Sequence, residues 1–268
     1  MANNSSLSKR AALRQQQELE ERNKRNRRIL GAGIGLAVVT VIVVLAIVIV
    51  QALTSRVEVT AEQQTPPNAT ANHGILYNGV EPSDDVPHLV VWQDFQCPWC
   101  KVYEDTYGST FRQLAADGKI TIEVRTATFL DGTSGDDSHR AALAAAAADA
   151  VGKFAEYHDV VYANQPEEGV GFTDEQLRVD FAEQAGITGD DLTKFQELFD
   201  TRAFETWVTE AAERFTTDQI GSTPTYLVAG TKLEFTDDAG NALIQPTEES
   251  FMAAVNEAWE AGDRNNDF

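Results

Sequence analysis

Both cysteines of this chain fall in one tetrad, Cys97-Pro98-Trp99-Cys100, where an apolar strand pattern gives way to a helical one. No third cysteine is present to form a structural cross-link, so the folded part must be held by its core, and any thiol chemistry belongs to this tetrad. A C-x-x-C pair can close a static disulfide, supply half of a zinc site, or cycle between dithiol and disulfide. Zinc needs two further ligands, and the only histidines, His73, His88, His139 and His158, show no paired metal spacing, so no metal site is expected. A static bridge across so short a loop stabilises little. Redox cycling is the strongest of the three readings.

The residues around the tetrad support it. His88-Leu89-Val90-Val91-Trp92 is a near-continuous apolar run, as in a central strand covered on both faces. After Cys97, Val102, Tyr103, Tyr107, Phe111 and Leu114 form one helical stripe that stops at Asp117-Gly118. Cys97 would therefore stand at a helix start, where unpaired N–H groups and the helix dipole favour a thiolate. Pro98 suits the first turn, which needs no N–H. Cys100, one turn further in, is the buried partner. Alternation returns at Ile120, Ile122 and Val124, completing a strand–helix–strand unit.

Elsewhere the chain divides by composition. Net charge is −21, but the first 28 residues hold eight Lys/Arg against three Asp/Glu, leaving −26 for the remainder. So acidic a main domain is a poor nucleic-acid binder. Residues 29–50 contain no charge, and their 22 positions would span roughly 33 Å as a helix, enough for a bilayer core. With the basic run 22–28 just before it, this reads as a signal anchor with a cytoplasmic tail (1–28) and everything after it extracytoplasmic. Cleavage after Ala52 or Thr54 is the alternative. Residues 51–73, with Pro66 and Pro67, read as a linker, and the sequon Asn68-Ala69-Thr70 as a chance match in polar sequence.

The folded domain is expected over 74–262, opening with a strand at Ile75-Leu76-Tyr77, with 263–268 as a fraying tail. Between Val124 and the next strand, Tyr226-Leu227-Val228, lie about 100 helical residues, far more than a crossover requires, so a helical insertion is expected at about 137–219. Thr173 with Gln176 forms a capping box, and Thr188 is a second cap candidate. A hairpin turning at Gly230-Thr231 before Leu233-Glu234-Phe235 follows. A last helix then carries Phe251, Val255 and Trp259 on one face.

Asp94-Phe95-Gln96-Cys97-Pro98-Trp99-Cys100, with the later Ser222-Thr223-Pro224-Thr225, resembles the DsbA-like thiol–disulfide oxidoreductases of the thioredoxin superfamily over roughly 74–262. The resemblance implies an α/β thioredoxin fold with an inserted helical subdomain, following one transmembrane helix. It implies that Cys97 and Cys100 are catalytic through their own redox-active disulfide, with no cofactor. It also implies a cis Thr223-Pro224 bond beside the dithiol, where substrate binds. The implied activity is disulfide introduction into secreted or surface proteins, with re-oxidation by a membrane partner of the DsbB or VKOR kind. A reductase or isomerase, or a non-catalytic scaffold with a static disulfide, are the alternatives. Where several family members carry a buried carboxylate six residues before the first cysteine, this chain has Val91, which leaves Asp94 and Glu104 as candidates for handling the buried thiol's proton.

Overall fold

The redox tetrad is carried by the central strand of a five-stranded sheet. The computed structural model describes residues 62–131, 135–167 and 169–266. The tail 1–28, the anchor 29–50, linker residues 51–61 and positions 267–268 lie outside the described residues. Strands β1 (Ile75–Leu76), β2 (His88–Gln93) and β3 (Thr121–Thr126) precede the helical insertion, and β4 (Thr225–Val228) and β5 (Thr231–Lys232) follow it. Their order in the sheet is β1-β3-β2-β4-β5. Among the described residues only β2 and β3 run parallel, Val91 opposite Val124, as the strand–helix–strand reading requires. β4 lies antiparallel on the other side of β2, with Val91 opposite Tyr226.

Helix α1 (Pro98–Ala116) connects β2 to β3 and ends at Asp117-Gly118, where Gly118 takes φ 66°. Leu89, Val91, Ile122 and Val124 share the main core with Phe111 and Leu114 of α1. The opposite sheet face is also closed, although β3 is polar there: Thr121, Glu123 and Arg125 are all buried. Glu123 resolves the cost of that burial by pairing with His88 Nε2 at 3.1 Å and Arg125 Nε at 2.5 Å, and it accepts a hydrogen bond from Thr70 Oγ1. His88 and Arg125 hold its carboxyl below the ordinary carboxylate range against the opposing effect of burial.

The insertion runs through α2 (Asp137–Asp149), α3 (Phe154–Ala163), a π turn (Gln176–Asp180) leading into α4 (Phe181–Gln184), α5 (Gly189–Asp200) and α6 (Glu205–Thr217), within the expected 137–219. Ala141 to Ala148 are all buried, so the alanine run is a packing face on every side. The capping box forms reciprocally: Gln176 N–H donates to Thr173 Oγ1 at 3.1 Å, and Thr173 N–H to Gln176 Oε1 at 2.9 Å. Thr188 stands at the N-cap of α5 without a side-chain capping bond. Helix α7 (Glu248–Ala261) is capped by Thr247 and buries Phe251, Val255 and Trp259 against β4 and β5.

Two expectations need correction. The hairpin turns at Ala229-Gly230, one residue earlier than expected, because both take positive φ, 48° and 75°, as a two-residue turn matched to strand twist demands. Thr231-Lys232 is therefore strand, and Leu233-Glu234-Phe235 lies beyond it. Second, the described part of the linker, 62–73, is not free tether. Gln64 N–H donates to Ala203 O, Gln63 bonds Arg202 and Thr206, and Asn68 docks on Asp149. The folded domain thus begins by residue 62, since a polar segment without periodicity can still be bound through its own hydrogen-bonding groups.

Candidate active site

Cys97 occupies the N-cap of α1 with extended backbone, and Pro98 is the first helical residue. This follows from local chemistry: proline pre-sets the helical φ and gives up only an N–H that the first turn could not use. Both thiols are unbridged and buried, Cys100 completely, whereas Trp99 between them is 63% exposed. The Thr223–Pro224 peptide bond is cis, and the Cys97 thiol donates to the Thr223 carbonyl oxygen at 3.4 Å. All six expected site residues, Cys97, Pro98, Trp99, Cys100, Thr223 and Pro224, therefore converge on one place.

The two thiols are electrostatically unequal. Cys97 is lowered to about 6, chiefly by the hydrogen bond from the Cys100 thiol, then by the Thr223 side chain and the N–H groups of Cys100 and Trp99, which together overcome burial. Cys100 is pushed well up, first by burial and then by its position beside Cys97. When the pair loses a proton, the charge settles on Cys97, the sulfur nearer the surface. That is the arrangement of an attacking or leaving thiolate backed by a neutral thiol.

The loop before Cys97 is held from several sides. Asp94 is fully buried, and its carboxylate accepts hydrogen bonds from Ser138 Oγ at 2.6 Å, Gln96 N–H at 2.9 Å and Leu130 N–H at 3.2 Å. Burial nonetheless raises it to about 6, against the lowering effect of those bonds. Ser138 also accepts from Gln96 Nε2, and Asp131 accepts the backbone N–H groups of Ser138 and His139, so the start of α2 is tied to the redox loop. Ser138, Leu130 and Asp131 carried no local sequence signal, because each meets the loop only through tertiary packing.

Beside Cys97 a groove of about 540 Å³ is lined by Pro98, Trp99, Val102, Phe129, Leu130 and the Gly221–Thr223 segment. Val102 and Phe129 are about half exposed, which makes this an apolar surface next to the reactive sulfur. Phe129 stacks on Phe215 of α6, with ring centroids 5.1 Å apart, so the insertion supports one wall.

Val91 is core, as its position in β2 requires. Glu104, one turn along α1 from Cys100, accepts from Gln93 Nε2 at 2.6 Å, and Gln93 Oε1 meets His158 Nε2 at 2.7 Å. Ligand atoms of Glu104, His158 and Asp159 lie within 4.8 Å of one another. Arg112 already supplies the positive charge there, 3.2 Å from Asp159 and 3.6 Å from Glu104, so the cluster is an ion-pair network in composition.

The sequence matches the family model described as Thioredoxin over residues 83–245. No curated protein matches the chain. Among solved structures, the fold is similar to the MdbA protein, a thiol-disulfide oxidoreductase from Actinomyces oris, at 21% identity over 74% of this chain and 96% of that one, with a TM-score of 0.59. It is also similar to oxidised BdbD from Bacillus subtilis, at 18% identity over 75% of this chain and 100% of that one, TM-score 0.54. Reduced DsbA from Mycobacterium tuberculosis aligns at 22% identity over 74% and 89% of the two chains, TM-score 0.51. At these identities the likeness is one of fold.

Proposed function

The chain belongs to the thioredoxin family and carries the C-x-x-C centre of a DsbA-like thiol–disulfide oxidoreductase, and we propose that it works in the oxidising direction on extracytoplasmic polypeptides. The observation that carries this reading is the asymmetry of the dithiol: Cys97 is stabilised as thiolate at a helix N-cap, while Cys100 is held neutral beneath it. A stabilised Cys97 thiolate is a good leaving group and favours the reduced form of the pair, which makes the disulfide form a stronger oxidant.

The reaction begins from the Cys97–Cys100 disulfide. A substrate thiolate attacks Cys97 Sγ, the Cys97–Cys100 bond breaks, and Cys100 leaves and takes up a proton. A second substrate thiolate then attacks the substrate sulfur of the mixed disulfide, releasing Cys97 as thiolate. Two electrons have passed from the substrate dithiol to the protein. Restoring the disulfide requires an oxidant, for which a membrane-embedded partner of the DsbB or VKOR kind is the expected source. The apolar groove beside Cys97 suits unfolded chains, whose hydrophobic side chains are accessible. In this reading residues 29–50 anchor the enzyme in the cell membrane with its N-terminus cytoplasmic, near emerging clients.

The decisive measurement is the reduction potential of the Cys97/Cys100 pair against glutathione. A value near about −120 mV supports the oxidase, and one near about −270 mV replaces it with a reductase. Cys100→Ser, with Cys97 preloaded as its mixed disulfide with glutathione, should exchange glutathione for a substrate thiol and hold the substrate on Cys97. A folded variant so loaded that captures no reduced unfolded substrate would leave only a scaffold.

A further inference from the structure

The inserted helices do more than flank the dithiol, because one side chain from them grips the backbone that presents Cys97. Gln165 lies just past the end of α3 and is half-buried. Its Nε2 donates to Phe95 O at 2.7 Å and to Cys97 O at 3.1 Å, so the two hydrogens of a single amide bind the carbonyls on either side of Gln96. The Cys97 carbonyl also accepts the first intrahelical bond of α1, from Lys101 N–H, at a long 3.3 Å. Gln165 therefore supplements a weak closure at the very turn that carries the nucleophile.

The grip is reciprocal. Lys101 Nζ reaches back from α1 to the Tyr162 carbonyl at 2.9 Å, and the Tyr162 hydroxyl donates to Asp94 O at 3.2 Å, an oxygen that also accepts Cys97 N–H at 2.9 Å. Carbonyls at positions 94, 95 and 97 are thus each bound by a side chain from the end of α3. A peptide plane is rigid, so fixing the Cys97 carbonyl fixes the Pro98 nitrogen on its other side and with it the direction in which the chain enters the helix. The N–H groups of Trp99 and Cys100 that help stabilise the Cys97 anion belong to that first turn.

We propose that Gln165 is a positioning residue for Cys97: its amide clamp holds the redox loop in the orientation that aims the first-turn N–H groups of α1 at the sulfur. The proposal rests on the oxidoreductase reading above and adds to it a device supplied by the insertion, outside the C-x-x-C tetrad and the Thr223-Pro224 loop. It also gives the insertion a role in setting thiol reactivity as well as in walling the groove.

The test is Gln165→Met, which keeps side-chain length and removes both donors. In the reduced full-length protein, the thiolate absorbance titration of Cys97 should move up by about one pH unit, and alkylation by iodoacetamide at pH 6 should slow several-fold with the smaller thiolate fraction. Circular dichroism and the thermal midpoint should stay near those of the parent. A folded variant whose titration and alkylation match the parent overturns the proposal. If Gln165→Met does not fold, Tyr162→Phe keeps the ring against Phe95 and deletes only the hydroxyl bond to Asp94. A smaller shift in the same direction supports the clamp, and no shift overturns it. Cys100→Ser, loaded with glutathione as above, separates the two readings. Normal trapping with an unmoved Cys97 titration in the Gln165 variant removes only the clamp, whereas absence of trapping in an otherwise unaltered chain removes the oxidoreductase reading itself.

Discussion

The Cys97 thiol meets the carbonyl oxygen of Thr223 at 3.4 Å, joining two positions 126 residues apart in sequence. The hydroxyl of the same threonine is buried, has no hydrogen-bond partner among the described residues, and lies where it helps to stabilise a Cys97 thiolate. An unpaired buried hydroxyl costs stability unless it acquires a partner, and an ionised sulfur is one. Thr223→Val preserves shape and removes that donor. Its Cys97 titration should rise above about 6 by roughly half to one pH unit, with reduced-state stability at pH 5 unchanged or slightly higher. Thiolate absorbance against pH measures the first and urea denaturation the second; an unmoved titration would mean the hydroxyl does not face the anion.

Cys100→Ala should act more strongly on the same quantity. The Cys100 thiol is the largest stabiliser of the Cys97 anion, ahead of Thr223 and the helix N–H groups. Without it, Cys97 should titrate closer to its ordinary value, and its alkylation at pH 6 should fall further than in Thr223→Val. An equal or smaller effect would reverse the ranking of the two donors.

Stability of the reduced protein should depend on pH in a direction that Cys97 dictates. Its titration is depressed from 9.0 unfolded to about 6 folded, so between those values the unfolded chain binds more protons and stability rises with pH. The contribution is complete above about 9 and is lost as pH falls through about 6. Relative to Cys97→Ser, the reduced protein should gain on the order of a few kcal/mol between pH 5 and pH 9. Denaturant midpoints of the two proteins across that range check it. Parallel curves would show that the thiolate is not stabilised by folding.

What the sequence disclosed depended on whether the signal was local. The tetrad, the strand before it and the stripe after it lie within a short stretch, so the place of Cys97 at a helix start could be read directly. Thr223-Pro224 was found through a family resemblance, and its approach to Cys97 has no local cause. Gln165, Tyr162, Ser138 and Phe129 stayed hidden because they bind the loop or line the groove from elements that reach it only after the insertion folds. Glu123 and Arg125 were equally opaque, since a strand with alternating apolar residues normally turns its polar face to water. Here that face is covered in part by Thr70, in the segment that reads as linker, and by Gly74 just after it.

That misread segment leads to a last prediction. Asp149, at the end of α2, is almost fully buried, and burial raises its titration above the ordinary carboxylate value. Its two oxygens accept Asn68 N–H at 2.8 Å and Asn68 Nδ2 at 2.7 Å, which lower it in partial compensation. Asn68→Ala keeps the backbone donor but strips one oxygen of its partner, and an unsatisfied buried charge costs about 1–3 kcal/mol. A carboxyl raised in the folded state gives up stability as pH rises through its folded value, and the variant should raise it further. The loss from Asn68→Ala should therefore be larger at pH 7 than at pH 4, when urea denaturation is compared at both. A loss below about 0.5 kcal/mol at pH 7 would mean that residues 62–73 hang on the domain as a tether after all. A pH-dependent loss would make them part of its fold, tied down through the Asn68 amide on Asp149.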